Sequence, residues 1–206
     1  MSSKYNRDQI EAIIMIHDYL KSVNYRESSG LKNKIQDYLS FRREVHQYHE
    51  HYFSEFCTNK CFASRYSACC NLEAVAIFFA DVAINVLLSS DEEIYQLIQA
   101  LRMESHAFKC VYLGNDGCLW RLKPIACEMF LCEKTKKAVF DKNETASKQW
   151  EDLKLREKAY TWPDKPVLFN ELEEYFIKRG FSSDTMYFHK SPGLLRVKAL
   201  ANRKKG

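Results

Sequence analysis

The sequence predicts a mostly α-helical protein whose helices surround a small, irregular, cysteine-rich metal core with one short β-hairpin. Three observations predict this fold. Apolar residues recur at helical spacing over most of the chain. All eight cysteines of the 206-residue chain lie between Cys57 and Cys132. The run Gly-Asn-Asp-Gly at 114–117 divides two short apolar stretches, as in a tight turn between strands.

Length and composition predict a single domain over 1–206, with N-terminal helices in 1–56, the cysteine core in 57–132 and a C-terminal helical extension in 133–206. Hydrophobic residues make up 46% of the chain and aromatic residues 14%, which is too many for a disordered protein. A chain of this size buries roughly 70% of its unfolded surface on folding. Its core does not require cross-links, so the cysteines must have another role.

Two helices are predicted before the first cysteine. Residues 7–20 carry apolar side chains at helical spacing, and a longer amphipathic helix is predicted over 31–56. The residues between them, 22–30, are rich in turn-forming types and are predicted to be a turn.

A pair of helices is predicted between the two groups of cysteines. Asn71 can cap a helix that runs to about Leu88. Ser90 and Glu93 have the spacing of a capping box, which would start a second helix ending near Met103. This pair would fold the two cysteine groups back towards each other.

The second cysteine group is predicted to lie on irregular structure. Residues 109–121 are expected to form a short hairpin or a knuckle-like turn, and Pro124 breaks any helix there. A charged helix is predicted over 143–160. Another is predicted over 167–178, with Gly180 as its stop.

The chain is predicted to be a cytoplasmic protein without a membrane span. Its N-terminal segment lacks a basic start, an apolar run and a small-residue cleavage site. The longest apolar stretch, 74–88, is interrupted by Asp81 and Asn85 and is shorter than the roughly 20 residues that cross a bilayer. Thiols stay reduced in the cytoplasm, so clustered cysteines there indicate metal ligands rather than disulfides.

Positive charge is concentrated at the C-terminus. Residues 189–206 hold six Lys or Arg and no acid, while the whole chain has a net charge of +4. We expect a solvated, partly frayed tail. Weak contact of this tail with RNA, DNA or an acidic protein partner is the alternative.

The eight cysteines are predicted to be the metal ligands. They are Cys57, Cys61, Cys69 and Cys70 in the first group and Cys110, Cys118, Cys127 and Cys132 in the second. Zn²⁺ takes four thiolates in a tetrahedron, and iron–sulfur clusters take four from varied spacings. Eight sulfurs could supply two four-coordinate sites, or one centre with spare thiols for redox work. The alternative is that they are buried apolar side chains or disulfides.

The adjacent Cys69 and Cys70 constrain the geometry of any site. Neighbouring side chains point in different directions in a regular backbone. Either both thiols bend into one site, or each faces a different one, and the sequence leaves both arrangements open.

The order of the cysteines resembles that of the YkgJ-like cysteine-cluster family, which is described as a zinc- or iron-chelating domain with eight characteristic cysteines. Residues 110–127, CVYLGNDGCLWRLKPIAC, are similar to that family's later segment. Trp120 takes the place of its aromatic residue, and Lys123-Pro124 the place of its Arg-Pro. The first group keeps the family's final Cys-Cys pair, with gaps of three and seven residues where the family has two and two. The resemblance covers 57–132.

The resemblance implies that the eight cysteines bind zinc or an iron–sulfur cluster, and it does not imply one reaction. A relative in that family, a flagellin lysine methylase, joins such a segment to methyl transfer. This chain has no recognisable S-adenosylmethionine motif, and its Gly114-x-x-Gly117 lies in a turn between cysteines. Three functions stay open: a redox or metal-dependent role, a non-catalytic zinc-stabilised interaction module, and protein modification. No catalytic residue is assigned.

Residues near the cysteines have alternative interpretations. His46, His49 and His51 precede the first cysteine and could be ligands, although a polar helix surface is the simpler interpretation. Asp81 and Asn85 could hydrogen-bond to ligands or to the polypeptide beside them, but we expect this pair to face solvent.

Three apolar side chains flank the second cysteine group: Trp120, Phe130 and Leu131. They could shield a metal centre from water or belong to the ordinary core. The two roles are compatible, because a dry shell both stabilises a metal centre and tunes it.

Overall fold

Helices dominate the computed structural model, which describes residues 3–70, 77–103 and 109–204. The mostly helical fold and the single short hairpin are therefore confirmed in the described part of the chain. The helices are α1 (Lys4–Ser22), α2 (Tyr25–Lys34), α3 (Gln36–Ser54), a π-helix (Glu55–Phe62), α4 (Phe79–Leu88), α5 (Asp91–Arg102), α6 (Ile125–Glu128), α7 (Glu133–Phe140), α8 (Glu144–Thr161), α9 (Leu168–Ile177), α10 (Tyr187–Lys190) and α11 (Pro192–Arg203), and the strands are β1 (Leu113–Gly114) and β2 (Gly117–Cys118).

The turn predicted over 22–30 is wrong, because α2 occupies most of it. Asn24 starts this helix: its side chain accepts a hydrogen bond from the Glu27 backbone N–H at 3.0 Å. The single helix predicted over 31–56 is also divided. It breaks at Ile35, whose φ of −93° and ψ of 0° separate α2 from α3.

Among the described residues between the cysteine groups, two helices form, as predicted. α5 begins with the expected capping box, in which Ser90 and Glu93 bond to each other's backbone N–H groups. The predicted start of the first helix at Asn71 lies outside the described residues. Within them, α4 begins at Phe79, after Phe78 in extended conformation. Both α4 and α5 pack against α1.

α4 is the central helix of the fold, because its apolar faces belong to two hydrophobic clusters. Ala80, Ile84 and Leu87 pack in a cluster with side chains of α2, α3, α8 and α9, such as Trp150. Phe79, Val82, Ala83 and Val86 pack in a second cluster with α1, α5 and the hairpin region. A helix that is buried all round is normally apolar all round. The two polar exceptions on α4, Asp81 and Asn85, are therefore informative.

The later helices fall close to their predicted positions. Asn143 caps α8, its side chain accepting a hydrogen bond from the Ala146 N–H at 2.9 Å. α9 is followed by Gly180, whose positive φ of 85° marks the stop expected there. No helix among residues 3–70, 77–103 and 109–204 has the length and apolar character needed to span a membrane.

The C-terminal tail is helical rather than frayed up to Arg203, where α11 ends, and residues 205–206 lie outside the described part of the chain. The buried carboxyl group of Glu173 holds α10 in place. Its Oε1 accepts from the Phe188 N–H at 3.3 Å, and its Oε2 lies 2.8 Å from His189 Nδ1. Lys198 of α11 adds hydrogen bonds to the Phe188 carbonyl and the Asn170 side chain. Every residue of α11 nevertheless keeps some exposure.

The buried carboxyl group of Glu173 should make the free energy of unfolding depend on pH. Burial raises its pKa to about 8, although Lys198 and Lys190 act in the opposite direction. A raised pKa in the folded state stabilises the fold at low pH, and this contribution is lost as pH rises towards 8. Burial lowers the pKa of His189, which opposes this trend only below that group's ordinary value of about 6.5. Between pH of about 6.5 and 8, His189 no longer opposes the effect of Glu173.

We expect the free energy of unfolding of Glu173→Gln to fall less steeply with pH than that of wild type in this range. The difference in slope should approach about 1 kcal/mol per pH unit, measured by urea denaturation. The control is Glu174→Gln, because the pKa of this neighbouring carboxyl is lowered by its hydrogen bond to Asn170 and it does not titrate there. Equal slopes for wild type and Glu173→Gln would contradict the interpretation.

Candidate metal centre

The first two cysteines lie on the π-helix. Its wider turn places residues four apart, here Cys57 and Cys61, near the same face. The chain then reverses through Arg65 and Ser67, which have positive φ angles of 59° and 39°. The Cys61 carbonyl accepts hydrogen bonds from the Tyr66 and Ser67 N–H groups at 3.1 Å, and the Cys61 sulfur accepts one from Ala68 at 3.4 Å. This loop returns Cys69 and Cys70 to the π-helix.

The two cysteine groups meet at a backbone hydrogen bond. The Cys110 N–H donates to the Cys70 carbonyl at 3.1 Å. Lys109, the residue before Cys110, also holds the two groups together. Its ammonium group donates to the Tyr66 and Ser67 carbonyls and lies over the Tyr66 ring. Segments far apart in the sequence are thus in direct contact.

The predicted hairpin holds Cys118. β1 and β2 are antiparallel, with Leu113 opposite Cys118 and Gly114 opposite Gly117. Gly117 has a φ of 126°, in a region that L side chains rarely adopt. The Leu119 N–H donates to the Tyr112 carbonyl at 2.9 Å. This bond extends the pairing of the two chain segments by one residue beyond the strands.

Asp81 and Asn85 anchor the segment between Cys118 and Cys127, so the expectation that they face solvent is wrong. Both are almost fully buried. Asn85 accepts from the Leu122 N–H at 2.8 Å and donates to the Leu122 carbonyl at 2.9 Å. Asp81 accepts from the Ile125 N–H at 3.0 Å. Burial raises the Asp81 pKa to about 6, against the opposing effect of hydrogen bonds such as that from Ile125.

α3 holds the same segment from another side. Arg42, which is buried, donates to the Lys123 carbonyl at 2.6 Å. His49 bonds through Nε2 to the Glu128 carbonyl at 2.8 Å. We call residues 122–128 the anchored segment, because side chains of α3 and α4 bond to its backbone along its length. Sequence reasoning missed Arg42, and a basic residue within an apolar helical pattern was the only signal for it.

The three histidines before the first cysteine, His46, His49 and His51, differ in burial. His49 is half-buried, and its ring bonds to a backbone carbonyl as a positioning group. His46 and His51 are exposed on α3, in agreement with the simpler interpretation of a polar helix surface. His46 lies 3.5 Å from the carboxylate of Glu50 on the same helix.

The last two cysteines border α6 and α7. Cys127 lies in α6, and Cys132 precedes α7, where its sulfur is 2.9 Å from the Thr135 hydroxyl oxygen. Trp120 and Leu131 are buried in the core clusters. Phe130 is 48% exposed, so it is not part of the buried core.

The thiols affect one another electrostatically. Burial first, and the neighbouring cysteines after it, raise the pKa of Cys57 to about 11 and that of Cys127 to about 12. The pKa of Cys70 is instead lowered, because its sulfur accepts a hydrogen bond from the Cys69 thiol. The ammonium group of Lys123 is close enough to interact with both Cys118 and Cys70. It also lies 3.5 Å from the buried carboxylate of Glu128.

The donor set fits a soft metal, whereas the ligating geometry is not formed in the structure. All eight cysteines are free thiols, of which seven are half-buried and Cys69 is exposed. Thiolates select zinc and iron–sulfur clusters. Across residues 3–70, 77–103 and 109–204, no three His, Cys, Asp or Glu side chains are arranged to hold one metal ion. Binding would therefore require the sulfurs to move closer together.

No protein-family model, curated protein or solved structure matches this chain. Membership of the YkgJ-like family, and the metal that this resemblance implies, therefore stay predictions.

Asn85 gives a direct test of the anchored segment. Asn85→Ala leaves the buried N–H and carbonyl of Leu122 without their partners, so we expect a loss of about 2–3 kcal/mol in the free energy of unfolding. Hydrogen exchange at the Leu122 amide should accelerate about tenfold or more. Asn170→Ala is the matched control, since this buried asparagine bonds to side chains on α9 and α11. Unchanged exchange in Asn85→Ala would refute the anchoring role.

Proposed function

We propose that this protein binds a thiophilic metal centre, zinc or an iron–sulfur cluster, through its eight cysteines. The observation that carries the proposal is the junction of the two cysteine groups. All eight cysteines are free thiols, and two segments that carry them, distant in the sequence, are in contact where the Cys110 N–H bonds to the Cys70 carbonyl. Clustered soft sulfur donors are the ligands that these metals prefer.

The exposure of the cysteines argues against a packing role. Free cysteine that serves as a small hydrophobe is among the most buried of residue types. Here all eight cysteines, each in the described part of the chain, keep some exposure, while alanines of comparable size such as Ala80 and Ala83 are fully buried. Ligands at the edge of a core would have this intermediate exposure.

The residues around the cysteines differ in how firmly they are held: the anchored segment is fixed by buried side chains, whereas the loop after the π-helix is exposed. Asp81, Asn85 and Arg42 fix the backbone of the anchored segment, which carries Cys127. The loop from Ala63 to Ala68 is largely exposed and is held by backbone hydrogen bonds to carbonyl groups of the π-helix and by the ammonium group of Lys109. We propose that this loop moves when the sulfurs close on a metal. Lys123 would offset part of the negative charge that thiolate ligands retain.

The role we favour is structural. A centre at this junction would tie the π-helix to the hairpin and to the anchored segment, and so link elements of both hydrophobic clusters. Metal binding and folding are coupled in such sites. A redox or metal-dependent activity is the second candidate, and the exposure of Cys69 favours it, because a reaction partner could reach that sulfur.

Anaerobic purification with elemental analysis and a visible spectrum tests the proposal. We expect stoichiometric zinc in a colourless protein, or iron and sulfide in a brown protein that dithionite bleaches. Removal of the metal with a chelator should lower the melting temperature by about 10 °C or more, since bound metal stabilises only the folded state.

Two variants sharpen this test. Cys110→Ala should reduce the metal content, while Leu155→Ala, which alters an exposed side chain on α8 far from any cysteine in the sequence, should leave it unchanged. A metal-free wild-type protein that remains folded, with a melting temperature insensitive to chelator, would overturn the proposal.

A further inference from the structure

We infer that the cleft between α9 and α11 binds a small hydroxylated phosphate ester, with the phosphate group against Lys198. The cleft has a volume of about 640 Å³, which is within the range of small-molecule sites. Its walls also include the end of α2 and the connection 163–166 before α9. The lining residues, all in the described part of the chain, include no cysteine. This site is therefore independent of the proposed metal centre.

Positive charge exceeds negative charge in the lining, which has five basic and three acidic side chains. Two of the basic side chains are already paired. Lys34 forms an ion pair with Glu171, and Arg179 bonds to Glu27 at 2.6 Å. Three ammonium groups remain to attract an anion, and the strongest candidate among them is Lys198 on α11.

Lys198 is half-buried, and its ammonium group is held by neutral oxygens. It donates to Asn170 Oδ1 at 2.6 Å and to the Phe188 carbonyl at 3.0 Å. Within the described residues it forms no ion pair with a carboxylate. Burial raises the pKa of the nearby Glu173 to about 8, which reduces the negative charge that this carboxyl offers near neutral pH. A partly buried charge without an opposite partner is unfavourable, and a bound anion would compensate it.

The cleft has free hydrogen-bond donors for several oxygens of one anion. An ammonium group has three N–H donors, and the protein uses two of those on Lys198. Asn202 lies four residues further along α11, on the same helix face, and also lines the cleft. Lys165 is exposed, and Lys178 is only 3.6 Å from Glu174 in an exposed pair that contributes little stability. Lysine is a common phosphate ligand, and a phosphate group accepts from several such donors at once.

The other lining residues indicate what the phosphate is attached to. The carboxylates of Asp164 and Glu174 repel a second anion but accept hydrogen bonds from hydroxyl groups. The aromatic residue of the lining is Tyr175, and Arg179 Cζ lies 3.6 Å from the centre of its ring. A nucleobase would have to displace Arg179 to stack on that face. A sugar phosphate therefore fits the lining better than a nucleotide does.

Calorimetric titration of the full chain at constant ionic strength tests this inference, with ribose 5-phosphate as the probe. We expect saturable binding of one equivalent, weaker binding of inorganic phosphate and no heat of binding from ribose. Lys198→Gln should weaken binding about tenfold or more, because it removes a charge-assisted hydrogen bond. Arg196→Gln is the matched control: it removes an exposed cation of the same helix that does not line the cleft, and should change the affinity less than about twofold.

Two further measurements do not depend on the folding of Lys198→Gln. Lys165→Gln/Lys178→Gln alters two exposed side chains of the cleft and should also weaken binding about tenfold. In wild type, the side-chain amide signals of Asn170 and Asn202 should shift on titration with ribose 5-phosphate and saturate.

Three results would overturn the inference: heat that rises linearly without saturation, equal losses in Lys198→Gln and Arg196→Gln, or tighter binding of ribose than of its phosphate. A single-stranded RNA oligonucleotide that binds more tightly than ribose 5-phosphate, and loses affinity in Arg196→Gln, would overturn it in favour of a nucleic-acid surface on α11. Metal content measured on the same samples reports on the cysteines alone, so the two proposals can fail separately.

Discussion

The architecture depends on one constraint: buried polar side chains of α3 and α4 must find partners, and they find them in the backbone of the anchored segment. Asp81 and Asn85 lie on a helix that is otherwise apolar on every side. A buried polar group left without a partner costs about 1–3 kcal/mol, more than the net contribution of a typical hydrogen bond. Their bonds to Leu122 and Ile125 therefore fix where the chain must pass. Together with Arg42 and His49, they turn an irregular stretch into a defined platform next to the cysteines.

This platform explains how a helical fold can support a site made of irregular structure. The hairpin precedes the anchored segment and α7 follows it. Fixing the backbone of that segment therefore restricts where the hairpin and α7 can lie. The first cysteine group lies on the π-helix and the loop after it, and it contacts the second group at Cys70 and Cys110. In our proposal one side of the centre is rigid and the other adapts, which suits sulfurs that must close on an ion. The protein-modifying activity implied by the resemblance stays a prediction.

Elements that depend only on neighbouring residues could be predicted from the sequence. The capping box of Ser90 and the turn at Gly114–Gly117 are short-range patterns, and both elements form where predicted. Long-range bonds decide what the sequence could not predict. α10 depends on Glu173, and the burial of Asn85 depends on Leu122, a partner distant in the sequence. The cysteines could be recognised as a candidate site from clustering alone, but the contact between their two groups, at Cys70 and Cys110, joins residues far apart in the sequence.

X-ray absorption at the K-edge of the bound metal tests the central claim most directly, because it reads the donor atoms themselves. Our account predicts a first shell of sulfur alone, at about 2.3 Å from the metal. A shell that contains nitrogen or oxygen from His, Asp or Glu side chains would contradict it, as would a purified chain that binds no metal.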